Sequence, residues 1–259
     1  MSGKRMIVAI PVFVLLALAA VHFVPASAAP AGEEDKARIF GRVTDFKNQP
    51  IADASIELKD PRFETVAAAT SGPDGSYSLT APKGEYMALL AVKDYQTKCL
   101  EYWAWNVPAD GELEINPRFD RLEVYALNAW RPQGGYPSYQ MYFRPMSLTR
   151  TMKRIEEAGG MEGLGKLALI DIAPVLAAGD IAVTIDGEAV EMLKVNKVLE
   201  SVGPGQDMVG YVIQTELPKR NKSIECRIIT VTITDRETGE KGEACLFLAP
   251  RRPIGRSGT

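Results

Sequence analysis

Histidine is almost absent from this chain of 259 residues. The single histidine, His22, lies inside an apolar run near the N-terminus. Removal of this N-terminal segment as a signal peptide would leave a mature protein without histidine, which cannot build a Ser-His-Asp triad, a Cys-His pair or the usual histidine-containing zinc sites. We therefore predict no metal site, no cofactor and no histidine-dependent catalysis.

Catalysis by two carboxylates needs no histidine, so this enzyme class requires a separate argument. Glu112, Glu114, Asp120 and Glu123 lie near aromatic residues in the sequence. Charged residues in short strands more often lie on a solvated face, and small β-sandwiches rarely form the deep cleft that this chemistry needs. We predict that the protein is not an enzyme.

An excess of positive charge is also lacking. The chain has 30 Lys and Arg residues against 33 Asp and Glu residues. Removal of residues 1–28, which contain Lys4 and Arg5 but no acidic residue, leaves 28 basic residues and a net charge near −5. No basic stripe is present, so a nucleic-acid partner is not expected. The basic, Gly- and Pro-containing end, residues 251–259, predicts a disordered tail.

Cysteine is scarce, with Cys99, Cys226 and Cys245 only. Three cysteines cannot all pair within one chain. A Cys226–Cys245 disulfide is one alternative in an oxidising compartment. However, a turn near Thr238-Gly239 would place Cys245 opposite about residue 232, which favours buried free thiols.

The N-terminus has the order of a secretory signal peptide. A basic head, Lys4-Arg5, precedes the apolar run 6–24, and Ala26-Ser27-Ala28 supplies the small residues of a cleavage site. Cleavage after Ala28 avoids Pro30 as the first mature residue. The alternative is a retained membrane anchor, because the run is nearly long enough to span a bilayer. We predict a periplasmic or secreted protein that is membrane-bound only if this segment is retained.

Short alternating segments follow residues 29–36, which are small or charged and predict a flexible leader. Apolar residues alternate with polar ones at Ile39, Gly41 and Val43, and again at Ala54, Ile56 and Leu58. Turn signals lie between and after these segments, at residues 45–50 and 72–75. Short period-two strands that alternate with turns predict a β-sandwich.

Four spaced motifs lie between residues 38 and 92. They are Ile39-x-Gly41-x-Val43-Thr44-Asp45, Gln49-Pro50-Ile51-x-x-Ala54-x-Ile56-x-Leu58, Thr70-x-x-x-Asp74-Gly75-x-Tyr77-x-Leu79, and Pro82-x-Gly84-x-Tyr86. This segment resembles the carboxypeptidase regulatory-like domain. The resemblance implies a transthyretin-like β-sandwich that serves as a non-catalytic accessory on exported proteins. We expect it to span residues 37–148, with an aromatic-rich extension after about residue 98.

Residues 149–165 interrupt the β pattern. Residues 149–158 predict a short helix that ends at Gly159-Gly160, and the segment is interpreted as an interdomain connector. Alternating segments then resume at residues 181–185, 209–215, 224–234 and 244–248. They predict a second, Ig-like β domain over residues 166–250. The predicted fold is all-β, with an N-terminal transthyretin-like β-sandwich joined to this Ig-like sandwich by the helical connector.

Aromatic residues are concentrated between residues 95 and 143, where eleven occur, including all three tryptophans. Alternation along a strand places Trp103 and Trp105 on one face and Tyr102 on the other. Exposed rings of this kind suit carbohydrate or peptide partners. The candidate ligand-binding residues are Trp103, Trp105, Trp130, Tyr136 and Tyr139.

Two hypotheses of function follow from this aromatic segment. In the first, the protein is an exported, non-catalytic binding or adhesion module that recognises a protein or carbohydrate partner at the cell envelope. In the second, it is a structural or assembly subunit of an envelope complex, and the rings are buried at an interface. Exposure of the tryptophan rings distinguishes the two.

Export is directly testable. N-terminal sequencing of the protein from its native host should begin at or near Ala29, because the small residues before it match the preference of signal peptidase. A protein that still begins at Met1 and that is extracted only by detergent would instead support the retained anchor.

Overall fold

The computed structural model describes residues 35–219 and 226–249. The predicted signal peptide, most of the leader and the basic tail lie outside these residues. Within them the chain forms sixteen strands, two α-helices and one short 3-10 helix (Ala178–Asp180), so the all-β prediction is confirmed. No helix in the described ranges has the length and apolar composition of a membrane-spanning segment.

The elements follow one another in a nearly all-β order. The first nine strands are β1 (Lys36–Arg42), β2 (Ser55–Lys59), β3 (Thr65–Thr70), β4 (Ser76–Pro82), β5 (Gly84–Val92), β6 (Tyr102–Ala109), β7 (Glu112–Glu114), β8 (Leu122–Trp130) and β9 (Ser138–Ser147). Two helices follow, α1 (Leu148–Glu157) and α2 (Met161–Leu164). The remaining strands are β10 (Leu169–Ile170), β11 (Ile181–Ile185), β12 (Glu188–Ala189), β13 (Met192–Gly203), β14 (Gln206–Glu216), β15 (Arg227–Thr234) and β16 (Lys241–Leu248).

These strands form three sheets. A small sheet has the order β4-β1-β7, and a central sheet of eight strands has the order β12-β11-β15-β16-β6-β5-β2-β3. The third sheet has the order β10-β14-β9-β8, with β13 also paired to β14. We call these the small, central and third sheets.

Two apolar cores lie on opposite faces of the central sheet. On β16, Cys245 and Phe247 belong to the core shared with the small sheet, whereas Ala244 and Leu246 belong to the core shared with the third sheet. Because successive side chains of a strand point to opposite faces, this alternation places the two cores on the two sides of one sheet.

The predicted strands of the N-terminal half are present, and two motif glycines have a structural reason. A Cβ atom on Gly41 would lie 1.9 Å from the carbonyl oxygen of Ile115, so β1 can approach that segment only through glycine. Gly75 has a φ of +81°, which fits the turn expected before β4. Both positions belong to the motifs that carry the family resemblance.

The predicted helix at residues 149–158 is confirmed as α1. The Ser147 hydroxyl caps it by accepting from the Arg150 backbone N–H at 3.1 Å. The buried Glu240 carboxylate, near the start of β16, accepts from the Thr149 N–H at 3.1 Å and from Arg121 Nε at 3.0 Å. The helix is therefore fixed to the β15–β16 turn.

The boundary predicted at residues 149–165 does not separate the sheets. β8 and β9 lie before this segment, yet β9 pairs with β14 beyond it, with Phe143 opposite Tyr211. In addition, β6 pairs in parallel with β16, with Trp103 opposite Ala244. Residues 37–148 and 166–250 therefore share the central sheet. Alternation identifies strands but does not say which strands pair, so the sequence alone does not reveal this shared sheet.

The cysteines also differ in detail from expectation. Cys245 lies opposite Thr230 rather than residue 232. All three cysteines are free, and Cys245 is buried while Cys99 and Cys226 are half-buried. Burial raises the pKa of the Cys245 thiol to about 12, which keeps it protonated and unreactive at neutral pH.

Cutting the chain tests how far the two halves depend on each other. A protease site inserted between Gly159 and Gly160 should be cleaved, and the two fragments should stay together on size-exclusion chromatography because β6 and β16 remain paired. Neither fragment alone should unfold cooperatively in circular dichroism melts. The uncut insertion variant is the control. Two separately folded fragments would instead support the predicted boundary.

Candidate functional site

The five candidate ligand-binding residues lie in two places. Trp103 and Trp105 are buried, with 6% and 7% of their surface exposed, on β6 of the central sheet. Trp130, Tyr136 and Tyr139 lie at the far end of the β8–β9 hairpin. Of these, Tyr139 is buried, Trp130 is half-buried and Tyr136 is 58% exposed. The structure does not bring the five rings together on one exposed surface.

Four aromatic rings form what we call the tryptophan cluster: Phe63, Trp103, Trp105 and Tyr125. The two indoles stack with centroids 5.0 Å apart, because residues two apart on a strand share a face. Tyr125 meets both rings edge-on at 5.4 and 5.3 Å, and Phe63 lies 6.3 Å from each. A bulge in β8 follows Tyr125, where Ala126 has a φ of +55°.

A buried carboxyl group lies against this cluster. Glu123 of β8 is only 1% exposed, and its Oε1 accepts from the Trp103 indole N–H at 2.9 Å. Burial raises the pKa of Glu123 to about 8, and the charge of nearby Glu101 contributes to the same increase. Burial likewise raises the pKa of Glu101 to about 7, although the charge of Lys59 opposes this increase. At neutral pH the pair therefore retains at least part of its protons.

Three buried polar atoms at this cluster have no hydrogen-bond partner among the described residues. They are Glu123 Oε2, Trp105 Nε1 and Arg144 Nε. The Arg144 guanidinium lies 4.8 Å from the centre of the Tyr125 ring, so it packs on the same cluster. An unpaired buried polar atom lowers the free energy of unfolding by about 1–3 kcal/mol. Protonation of Glu123 reduces this loss for its carboxyl group.

Sequence reasoning named Glu123 but not its partner. Glu101, Trp103 and Trp105 are spaced by two residues, so strand alternation would have placed Glu101 on the tryptophan face. The other carboxylates named from the sequence have different surroundings. Glu112 is exposed and pairs with Arg38 at 3.0 Å, and burial raises the pKa of the half-buried Asp120.

The arrangement offers little room for a substrate. Trp103, Trp105 and Glu123 are buried, whereas Glu101 is half-buried. A separate pocket of about 160 Å³ lies on the opposite face of β6 and β16, where Tyr102 and Glu243 are among its walls. It is small for an organic ligand. Within residues 35–219 and 226–249, no three His, Cys, Asp or Glu side chains are placed to hold a metal ion.

Comparison with known proteins gives likenesses to solved structures only. No protein-family model matches the chain, and no curated protein matches it. The chain is similar to a DUF3823 family protein from Parabacteroides merdae, with 10% identity over 83% of this chain and 100% of that chain, and a TM-score of 0.25. It is also similar to BcpA, the major pilin subunit of Bacillus cereus, with 11% identity over 83% and 69% of the two chains and a TM-score of 0.27. A third is the full-length major pilin SpaD from Corynebacterium diphtheriae, with 7% identity over 85% and 66% and a TM-score of 0.25. At such TM-scores these likenesses carry no functional argument.

The carboxyl pair predicts an unusual pH dependence of stability. Folding raises both pKa values above the ordinary value of 4.5, so the folded protein binds more protons than the unfolded chain between about pH 5 and pH 8. The free energy of unfolding contributed by the pair should therefore be largest below pH 4.5 and should fall as the pH rises through 8. A tenfold difference in the proton affinity of one carboxyl group between the folded and unfolded states changes the free energy of unfolding by about 1.4 kcal/mol.

Urea unfolding between pH 5 and pH 9 measures this slope. Glu123→Gln keeps an oxygen acceptor for Trp103 and removes the titration, so it should flatten the slope. Glu112→Gln, at a side chain that is 71% exposed, is the matched control and should leave the slope unchanged. An unaltered slope in the Glu123→Gln variant would contradict the assignment.

Proposed function

We propose that this protein is an exported, non-catalytic structural or assembly module of the cell envelope, in which the clustered aromatic residues hold the β-layers together. The observation that carries the proposal is the burial of Trp103 and Trp105 between β6 of the central sheet and β8 of the third sheet. Rings in such a position stabilise packing and are not available to stack on a ligand.

The partners that fit this role are proteins of the envelope. Export is supported by the basic head, the apolar run and the Ala26-Ser27-Ala28 site, which lie outside the described residues. The net charge near −5 of the mature chain argues against a nucleic-acid partner. A periplasmic or secreted location is consistent with both features.

We further propose that the small sheet, together with β2, β3, β5 and β6, is a carboxypeptidase regulatory-like, transthyretin-like sandwich. The motif residues Gly41 and Gly75 support this assignment, because the close approach and the turn that they permit are local features of that segment. The third sheet with β11, β15 and β16 would then form the Ig-like sandwich. Neither sandwich presents a histidine, so no catalytic role of the family transfers to this chain.

Recognition of a carbohydrate or peptide is the second candidate function. It is favoured by Tyr136, which is 58% exposed in the β8–β9 loop that begins after the half-buried Trp130. The Tyr136 hydroxyl donates to Glu216 at 2.8 Å, which would fix the orientation of the ring. This site would use Trp130 and Tyr136 without the tryptophan cluster.

Substitution of single rings separates the two functions. Trp103→Ala and Trp105→Ala should each lower the free energy of unfolding by about 3–5 kcal/mol, because each leaves a cavity against Tyr125 between the central and third sheets. Tyr136→Ala should change it by less than about 0.5 kcal/mol. Guanidinium unfolding of the three variants provides the measurement.

A glycan and peptide array with the mature protein completes the test. The structural role predicts no selective binding. Selective binding that Tyr136→Ala or Trp130→Ala abolishes, with stability preserved, would overturn the structural role in favour of recognition.

A further inference from the structure

The pocket of about 160 Å³ behind β6 and β16 lies on the face of the central sheet opposite to the tryptophan cluster. Tyr102 of β6, Thr230 of β15 and Phe247 of β16 line it from that face, and Glu114 of β7 lines it from the small sheet. Ile228 is 42% exposed and Glu114 is exposed, so the pocket is open to solvent. An apolar cavity of about 150 Å³ holds benzene, so this volume admits a group of about six non-hydrogen atoms.

Tyr102 contributes an unpartnered hydroxyl group to this pocket. The side chain is 3% exposed, and its hydroxyl makes no hydrogen bond with any residue that the structure describes. Two other buried tyrosines, Tyr77 and Tyr211, each donate to a backbone carbonyl oxygen at 2.8 Å. Burial raises the pKa of Tyr102, and the nearby Cys245 and Glu243, which also line the pocket, add to this increase. The hydroxyl therefore stays protonated at neutral pH, and a buried group of this kind normally has a bound partner.

The charges at the pocket are acidic. Of the described residues that line it, only Glu114 and Glu243 are charged. The buried Glu243 carboxylate is neutralised by Arg118, whose Nε lies 3.2 Å from Oε1 of Glu243. Glu114 accepts from the side-chain amide of Asn116 at 2.9 Å and forms no ion pair with another described residue. One negative charge therefore remains at the opening, which attracts a cation and repels an anion.

We propose that this pocket binds a primary ammonium group on a short aliphatic chain. The Glu114 carboxylate attracts the positive charge, and the Tyr102 hydroxyl oxygen accepts a hydrogen bond from the ammonium N–H. Ile228 and Phe247 supply apolar surface for the methylene groups. A free alkylamine and the lysine side chain of a partner protein share this chemistry. The inference goes beyond the proposed structural role and does not rest on it.

A series of small ligands tests the chemistry. n-Butylammonium matches the lysine side chain beyond Cα. Its titration into the mature protein at constant ionic strength should shift the amide NMR signals of β6, β15 and β16 around the pocket, with a dissociation constant in the millimolar range. 1-Butanol has no charge and should bind at least about fivefold more weakly, and butanoate should bind more weakly still. Equal binding of n-butylammonium and 1-butanol overturns the ammonium assignment.

Tyr102→Phe removes the hydroxyl but no hydrogen bond within the described protein. It should weaken n-butylammonium binding at least about fivefold and leave the free energy of unfolding unchanged. Tyr86→Phe is the matched control, because the Tyr86 hydroxyl donates to the Pro82 carbonyl oxygen at 2.6 Å and does not line the pocket. A Tyr102→Phe variant that binds as tightly as the wild type overturns the site.

Glu114→Gln tests the contribution of charge. It keeps an oxygen acceptor for Asn116 and removes the negative charge, so it should weaken n-butylammonium binding at least about threefold. Glu112→Gln is the control on the same strand, because Glu112 pairs with Arg38 at 3.0 Å and does not line the pocket. Unchanged binding in the Glu114→Gln variant overturns the selection of a cation.

Nα-acetyl-lysine N-methylamide distinguishes the two sources of the ammonium group. If it binds within about threefold of n-butylammonium and shifts the same signals, the pocket takes a lysine side chain of a partner protein. If only n-butylammonium binds, the pocket takes a free alkylamine. Binding of neither ligand at the pocket overturns the proposal. The structural role is decided separately by the stability of the Trp103→Ala and Trp105→Ala variants, so the two proposals fail independently.

Discussion

The parallel pairing of β6 with β16 is the contact on which the rest of the structure depends. It places Trp103 opposite Ala244, Cys245 opposite Ala104 and Leu246 opposite Trp105. Parallel strands cannot be joined by a tight turn and need a long crossover. Here the crossover comprises β7 to β15, so this one ladder closes the central sheet from distant parts of the chain. The two apolar cores lie on the two faces of this central sheet.

The same ladder brings β8 against β16 at close range. A Cβ atom on Gly242 would lie 2.2 Å from the carbonyl oxygen of Leu122, so the contact depends on glycine. β8 in turn carries Glu123 and Tyr125 to the tryptophan face of β6. The tryptophan cluster is thus a consequence of how the central and third sheets meet, and it seals the junction between them.

Burial of the Glu123 carboxyl group within that junction lowers the stability of the fold unless the group is hydrogen-bonded or protonated. The Trp103 indole N–H gives Glu123 one hydrogen bond, and protonation removes most of the penalty of a buried charge. The acidic pair and the stacked rings therefore belong to one unit that joins two sheets. Within that unit Trp103 and Trp105 are buried and do not form an open recognition surface.

The sequence by itself determined the local structure, because local structure depends on near neighbours. Alternation located strands such as β1, β2, β11 and β14, Gly159-Gly160 ended α1 as expected, and spacing by two residues assigned Trp103 and Trp105 to one face. The same rule would have added Glu101 to that face. The predicted export signal and the expectation of no histidine-dependent chemistry also depend on residue identity alone.

Only the tertiary structure decided which strands pair and which faces are covered. Hydrophobic alternation shows that a face is apolar but does not identify the strand that packs on it. The cover over Trp103 comes from β8, where Glu123 is 20 residues further along the chain, and the neighbour of β6 comes from β16, more than a hundred residues away. Burial of the rings, and with it the proposed function, therefore depends on contacts between distant segments that no local pattern encodes.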